Sequence, residues 1–439
     1  MAQGKKQEMI GAVALVVLCW IVLSGCQDDQ GAAPQSKSDA TSVQSEKLKQ
    51  EMRQEFERCL KAAESGDADE QLNLGYMYDT GKGVRQDRIQ AVKWYHKAAE
   101  QGNVEAQYNL GVMYATGEGV NKDDKQAEEW YRKSAEQGFV DAQYNLAEMY
   151  ANGDKQDQIQ AMKWYRKSAE QGDAKALNNL GVMYAHGKGV KQDLNQAVAC
   201  FRKSARQGDA DAQVNLGDAY YTGEGVNHDP KQAAEWYLKA AEQGDAKSQF
   251  NLGVMYLNGE GVNQDLKQAE EWFRKAAEQG NAKAQVSIGT MYAFGDSVNQ
   301  DLREAVHWFR KAAEQGDVDA QFNLGEMYYN GEGVKKDLKQ AEEWYCKAAK
   351  QGDAIAQVSL GTMYLHGKGV KQDLIKAEEW YRKAAEQEDA EAQISLGTMY
   401  YKGMGVKQDR NQAVEWYRKA ARQGHKRAIQ NLKDLGESP

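Results

Sequence analysis

Few residues of this 439-residue chain stand at spacings that do chemistry. Of its five cysteines, Cys19 and Cys26 sit in the N-terminal apolar stretch. Cys59, Cys200 and Cys346 are far apart in the chain and suggest no disulfide framework. The first two of these take aromatic positions of a repeating pattern and read as buried thiols. Cys346 takes an Arg position, which points to exposure. The six histidines show no metal-ligand spacing. His186 and His366 both precede Gly-Lys-Gly-Val and read as polar loop-edge residues. A Gly-x-Gly-Val loop could cradle a phosphate, but here it follows a helical pattern rather than a strand and recurs along the chain. Turn geometry accounts for it. Aspartates and glutamates recur as helix caps and solvated faces, so none pairs off as general acid and base. There is no Gly-x-Ser-x-Gly and no Ser-x-x-Lys, so serine acylation lacks a nucleophile. A tryptophan column from Trp94 to Trp416 could stack on a carbohydrate or a cation. At constant helical phase it reads instead as core. The expectation is a chain without enzymatic activity, cofactor or metal.

The elements behind these residues repeat. Asn103 to Gly138 is one unit of ten, marked by Leu-Gly-x-Met-Tyr, Gly-x-Gly-Val and Trp-Tyr-x-Lys-x-Ala. The glycine of Leu-Gly recurs from Gly75 to Gly397 at a step of 36 residues, or 34 between Ala147, which replaces it once, and Gly181. A fixed period of this size marks a solenoid. Ala106, Leu110, Met113 and Tyr114 form one apolar helical stripe, and Ala127, Trp130, Tyr131, Ser134 and Ala135 a second. The unit therefore reads as two antiparallel helices that bury their stripes only by stacking on neighbours. A glycine inside the first stripe costs about 1 kcal/mol against Ala, so its recurrence predicts close approach of another helix backbone. Asp123 with Gln126 has the spacing of a capping box. Gly102, Gly138 and Gly172 fit left-handed helix ends. Glu388 replaces that glycine once, predicting a looser end there.

These motifs resemble the Sel-1-like repeat family, a relative of the tetratricopeptide repeats, over roughly residues 67 to 424. The resemblance implies an all-α fold: a right-handed α/α superhelix, or solenoid, of about ten 36-residue helix-pair repeats. It also implies an adaptor or scaffold that binds protein or peptide partners. The departures are local: Asn152-Gly153-Asp154 shortens the third loop, Ser297 replaces the second loop glycine in the seventh repeat, and Cys200 replaces Trp in the fourth. Some relatives carry a cysteine pair in each repeat and have been proposed as cell-wall hydrolases or β-lactam-binding proteins. The missing pairs here argue against that alternative.

The net charge is −9, with 28% charged residues. Lys and Arg alternate with Glu and form no basic stripe, so no nucleic-acid partner is expected. Residues 1–25 read as a signal peptide: Lys5 and Lys6, then an apolar run from Met9 to Leu23, short of the roughly 20 residues a membrane span needs. The run ends in Leu23-Ser24-Gly25-Cys26, which resembles the bacterial lipobox. That resemblance implies lipidation of Cys26 and a membrane-anchored chain on the periplasmic or surface side of the cell envelope. Gln27, where Asp would favour the inner membrane, gives a slight preference for the outer one. Residues 26–44 read as a flexible tether, 45–66 as a capping helix, 67–424 as the repeats, and 425–439 as a C-terminal capping helix and tail.

Constant columns of the repeat are structural by default, so partner specificity is sought in variable ones. Three columns share one face of the first helix, standing three before, one after and four after the Leu-Gly glycine. The first includes Tyr108, Tyr144, Phe250 and Phe322; the second includes Glu148, Asp218 and Glu326; the third includes Tyr221, Tyr329 and Tyr401. In the tetratricopeptide relatives the matching positions line a concave groove, so these seven aromatic residues are the expected partner-binding set. Asn recurs two before the glycine, where it either bonds backbone between repeats, the favoured reading, or clamps a peptide. The lipobox yields the first test: Cys26→Ser should abolish lipidation and leave the chain unprocessed or untethered. Unchanged fractionation with no shift in mass would remove the anchor.

Overall fold

The structure is a computed structural model that describes residues 36–295 and 299–438, with side-chain surroundings from residue 47 onward. Cys26, the expected signal and the tether up to residue 35 lie outside the described residues, as does Ser297. The described residues form 22 helices and fall into two units, which divide between Phe139 and Val140. The first unit holds an N-terminal helix and two repeats; the second holds eight repeats and a C-terminal helix. Within each unit the expected solenoid architecture holds: all-α, with helix pairs stacked in chain order.

Local chemistry sets each helix end. In the second repeat the first helix spans Val104–Thr116. The Asn103 side chain accepts from the Ala106 N–H, and Gly117 ends the helix at φ 78°, donating its N–H to the Met113 carbonyl. The second helix spans Asp124–Glu136, and the Asp123 carboxylate accepts from the Lys125 and Gln126 N–H groups. The capping box is only half built. Asp123 donates its own N–H to the Tyr114 carbonyl at 3.0 Å, so Gln126 has nothing left to cap. The full box forms once, between Asp154 and Asp157. There the short loop puts the Gly153 N–H on the Tyr150 carbonyl and frees the Asp154 N–H.

Glu388 does not loosen its helix end. It takes φ 67°, and its N–H donates to the Ala385 carbonyl at 3.1 Å, as Gly102 does to Ala99 at 3.0 Å. The neighbouring bonds impose the left-handed conformation on a residue with a Cβ, at a cost of about 1–2 kcal/mol.

Two glycine columns hold the packing together. A Cβ on Gly111 would stand 2.6 Å from the Tyr131 ring, and one on Gly253 would stand 2.7 Å from Phe273. The close neighbour is thus an aromatic ring of the paired helix, not the backbone expected from sequence. The second glycine of the loop does meet backbone. At Gly119, φ 71°, a Cβ would stand 2.3 Å from the Arg88 carbonyl oxygen, at the start of the preceding repeat's second helix. Gly225 on Leu194 and Gly261 on Pro230 repeat this contact. The loop is a seat between repeats, and its inner side is filled by protein.

Trp272, 8% exposed, packs with Ala233 and Tyr237 of the preceding repeat and with Leu252 and Met255 of its own. Lys275 covers its outer face, with Nζ 3.9 Å from the ring centroid. Most of the tryptophan column is buried in the same way, which agrees with the core reading. The N-terminal cap buries Cys59 against Leu74, Met77 and Trp94. Its helix, Ser36–Glu64, starts inside the stretch expected as tether, because residues 36–44 contain no Gly or Pro to end it. The C-terminal helix, Lys426–Asp434, buries Ala428 and Leu432. Cys200 is buried as expected, whereas Cys346 is half-buried against its repeat core rather than exposed. No helix of the described residues is long and apolar enough to cross a membrane.

Removing a buried tryptophan leaves a cavity that the stack cannot close. Trp272→Ala should destabilise by about 3–5 kcal/mol. Repeats couple to neighbours, so hydrogen exchange should rise first across repeats five to seven. Wild-type stability in the variant would show that the tryptophan carries no core energy.

Candidate partner-binding face

The aromatic residues three before the glycine are not free-standing. Each lies against the ring that covers the mid-helix glycine. Ring centroids are 5.9 Å apart for Tyr108 and Tyr131, 5.9 Å for Tyr144 and Tyr165, 5.7 Å for Phe250 and Phe273, and 5.8 Å for Phe322 and Tyr345. All four are half-buried. Their bulk is partly used in packing their own repeat.

The column four after the glycine is more open, and it touches the next loop. Tyr221, 36% exposed, donates its hydroxyl to Glu260 Oε2 at 2.9 Å. The half-buried Tyr329 accepts from Lys368 Nζ at 3.2 Å. Glu260 and Lys368 are the middle residues of the following Gly-x-Gly-Val loops. Tyr401, 42% exposed, stands in the tenth repeat, and its hydroxyl makes no hydrogen bond among the described residues.

The column one after the glycine varies for a structural reason. The Tyr237 hydroxyl donates to Asp218 Oδ1 at 2.6 Å. Tyr165 donates to Glu148 and Tyr345 to Glu326 in the same way. Thr362 and Thr398 pair with the hydroxyls of Tyr381 and Tyr417 at 2.9 and 3.0 Å. Where Phe201 or Phe273 replaces tyrosine, the column holds Val182 or Val254; opposite Phe309 it holds Thr290, whose hydroxyl donates to the Val286 carbonyl at 2.9 Å. Five of its side chains thus answer a buried phenol. Burial, then the hydrogen-bonded carboxylate, raises the pKa of Tyr165, Tyr237 and Tyr345 well above the usual phenol range. Tyr144 is pushed up to about 12 by burial first and then by Glu148.

The recurrent asparagine bonds side chains across repeats rather than backbone. Asn179 donates to Glu148 Oε1 at 2.6 Å and to the Tyr165 hydroxyl at 3.2 Å. Two further polar contacts between repeats escaped the sequence reading. Gln107, buried in the first-helix stripe, donates to the Ala99 carbonyl of the preceding repeat at 3.1 Å and accepts from Gln137 at 2.8 Å. Arg310 donates to the Tyr328 hydroxyl of the next repeat at 2.9 Å, and Arg202 does so to Tyr220 at 3.2 Å. The signal for the first was in plain view: a polar Gln at an apolar phase, repeated nine times.

Ten helix pairs with these loops and seats match one repeat description, the Sel1 repeat, at ten consecutive stretches that run without a break from residues 71–103 to residues 390–425. The chain belongs to the Sel1 repeat family. Among solved structures it is similar to a protective antigen present in uropathogenic Escherichia coli strains that displays the same fold. That match has 38% identity, covers 87% of this chain and 90% of that one, and has a TM-score of 0.66. It is also similar to a Sel1 repeat protein from Oxalobacter formigenes, at 36% identity over 70% of this chain and 89% of that one, with a TM-score of 0.56. No curated protein matches the chain. As a Sel1 protein it is a repeat scaffold.

The buried phenols give this Sel1 array an alkaline limit. Their protonated form is favoured in the fold. The stability they contribute is therefore fully present below the free tyrosine value of about 10 and is lost as pH rises through the higher folded values. Denaturation midpoints should fall above about pH 10, by about 1.4 kcal/mol per pH unit for each such phenol. Tyr345→Phe should remove one proton from that dependence. A midpoint that stays flat to high pH would show the phenols to be solvated.

Proposed function

We propose that this Sel1 chain is a lipid-anchored, non-enzymatic scaffold of the bacterial cell envelope that binds protein or peptide partners through the first-helix face. The observation that carries this reading is the set of aromatic side chains left open to solvent there. Tyr221 and Tyr401 are exposed, and Phe250, Phe322 and Tyr329 lie half-open beside them in the second unit. Tyrosine in such a place supplies contact area at low entropic cost and with a polar handle. In the first unit Tyr76, 53% exposed, presents a further ring on the equivalent helix. Every other repeat manages without an aromatic at one or more of these positions, so the fold does not require them there. The tetratricopeptide likeness supports protein binding by this face. The lipobox-like Leu23-Ser24-Gly25-Cys26 supports the anchor. The similar Escherichia coli protein is a protective antigen, which supports an envelope location.

The test separates binding from folding. Crosslinking in cells followed by mass spectrometry identifies the partner. Capture is then compared for the wild type and for Tyr221→Ala with Tyr401→Ala. Both side chains are exposed, so helical content and melting should stay near wild type. Capture should weaken by at least about tenfold, or about 1.4 kcal/mol. Undiminished capture by the folded variant would move the site off this face. Hydrolysis of a β-lactam or a muropeptide by the purified chain would replace the scaffold reading altogether.

A further inference from the structure

The repeats can be compared with one another, and one comparison isolates an unbalanced charge. In the fifth repeat Asp218 holds two partners. Its Oδ1 accepts from the buried Tyr237 hydroxyl at 2.6 Å, and its Oδ2 accepts from Lys247 Nζ of the next repeat at 2.7 Å. In the eighth repeat Glu326 has the first partner only. Its Oε1 accepts from the buried Tyr345 hydroxyl, and no cation among the described residues lies within ion-pair distance of it. The place that Lys247 takes relative to Asp218, 29 residues on, is taken relative to Glu326 by Ile355. Ile355 is 58% exposed, and Lys175, Lys247 and Lys283 hold the same position in other repeats. A carboxylate oriented by a buried phenol thus has no internal counter-charge, and the repeat position from which Lys247 reaches Asp218 holds an exposed apolar residue. Phe322 and Tyr329, on the helix that carries Glu326, flank it with half-open rings.

We infer that Glu326, Ile355, Phe322 and Tyr329 form a docking site for a peptide segment of a protein partner in which a lysine or arginine is followed or preceded by an apolar side chain. The Asp218–Lys247 pair shows how the cation sits, because it is the same contact made within the chain. An ammonium or guanidinium from the partner takes the free Glu326 oxygen. The adjoining apolar residue covers Ile355 and the edge of Phe322. The phenol of Tyr345 fixes the carboxylate beforehand, so little side-chain freedom is lost on binding. Charge at such a site selects against acidic partners as strongly as it favours basic ones. This assignment rests on the scaffold reading and adds the chemistry of the partner to it.

The test uses the whole chain and a phage-displayed library of random linear dodecapeptides. Peptides enriched on the wild type are resynthesised, and their affinities are measured for wild type, Ile355→Lys and Glu326→Gln. Ile355→Lys rebuilds the internal pair with a residue that three sister repeats already carry, so the fold should be retained by circular dichroism. Glu326→Gln keeps an acceptor for Tyr345 and removes only the charge. The expected result is a set of peptides with Lys or Arg beside an apolar residue that lose at least about tenfold in affinity to both variants. Replacing the cation in those peptides by norleucine should have the same effect. Selected peptides without a cation, peptides indifferent to both variants, or failure to enrich any peptide would overturn the assignment. Peptides that lose binding to Tyr221→Ala with Tyr401→Ala but not to Ile355→Lys would overturn it while leaving the first-helix face as the binding surface.

Discussion

Within each unit, the amide of a buried glutamine ties most helix pairs to the helix before them. Carbonyls in the last turn of a helix have no partner within that helix, and stacking takes them out of water. The Gln107 side-chain N–H gives the Ala99 carbonyl a second donor beside the Gly102 N–H, and the Gln107 side-chain oxygen is satisfied in turn by Gln137. A buried amide with all its partners fixes the register of two surfaces, whereas the apolar stripes alone would tolerate sliding. Gln249 and Gln285 make the same contacts in the second unit. The fourth repeat does without: Leu177 takes the place and buries apolar area instead. The tie is thus strong enough to recur, and local enough to be replaced once.

Around this tie, the aromatic residues divide the work. The ring on the mid-helix glycine closes each helix pair internally, and the tryptophan closes the gap to the preceding pair. Arg310 on Tyr328 and the loop glycine on the preceding helix add two more contacts between neighbours. All of these reach one repeat and no farther. Where a residue departs from its column, the compensation is also local. Cys346 stands where other repeats place the arginine that reaches the next tyrosine. The Tyr364 hydroxyl donates to Glu342 instead, at 2.8 Å.

Much of this was legible in the residues. Period, helix pairing, caps and the tryptophan core follow from the spacing of apolar residues and glycines, because those requirements are imposed by backbone geometry and apply equally to each repeat. The half-built capping box was not legible. Whether Gln126 returns a bond depends on where the Asp123 N–H points, and that is decided by the Tyr114 carbonyl on the other helix. The candidate face was legible only in outline. Tyr108 and Glu148 stood out as variable, yet Glu148 varies with the phenol of Tyr165, and Tyr108 fills space beside Tyr131. Column variation in one chain mixes compensation with function. Only contacts made in three dimensions separate the two.

Once compensation is subtracted, what remains is small and specific. Val182 and Val254 are explained by Phe201 and Phe273, and Asp218 by Tyr237 and Lys247 together. Glu326 is explained by Tyr345 only in part, since its second oxygen has no cation and its lysine position is an exposed isoleucine. The exposed Tyr401 makes no hydroxyl hydrogen bond among the described residues. These leftovers lie on the same face of the first helices in the second unit. Each repeat couples to its neighbours alone, so such a position can change without disturbing a distant one. A surface built this way can be altered one repeat at a time. Its binding chemistry is therefore to be sought in the residues that their own repeat does not need.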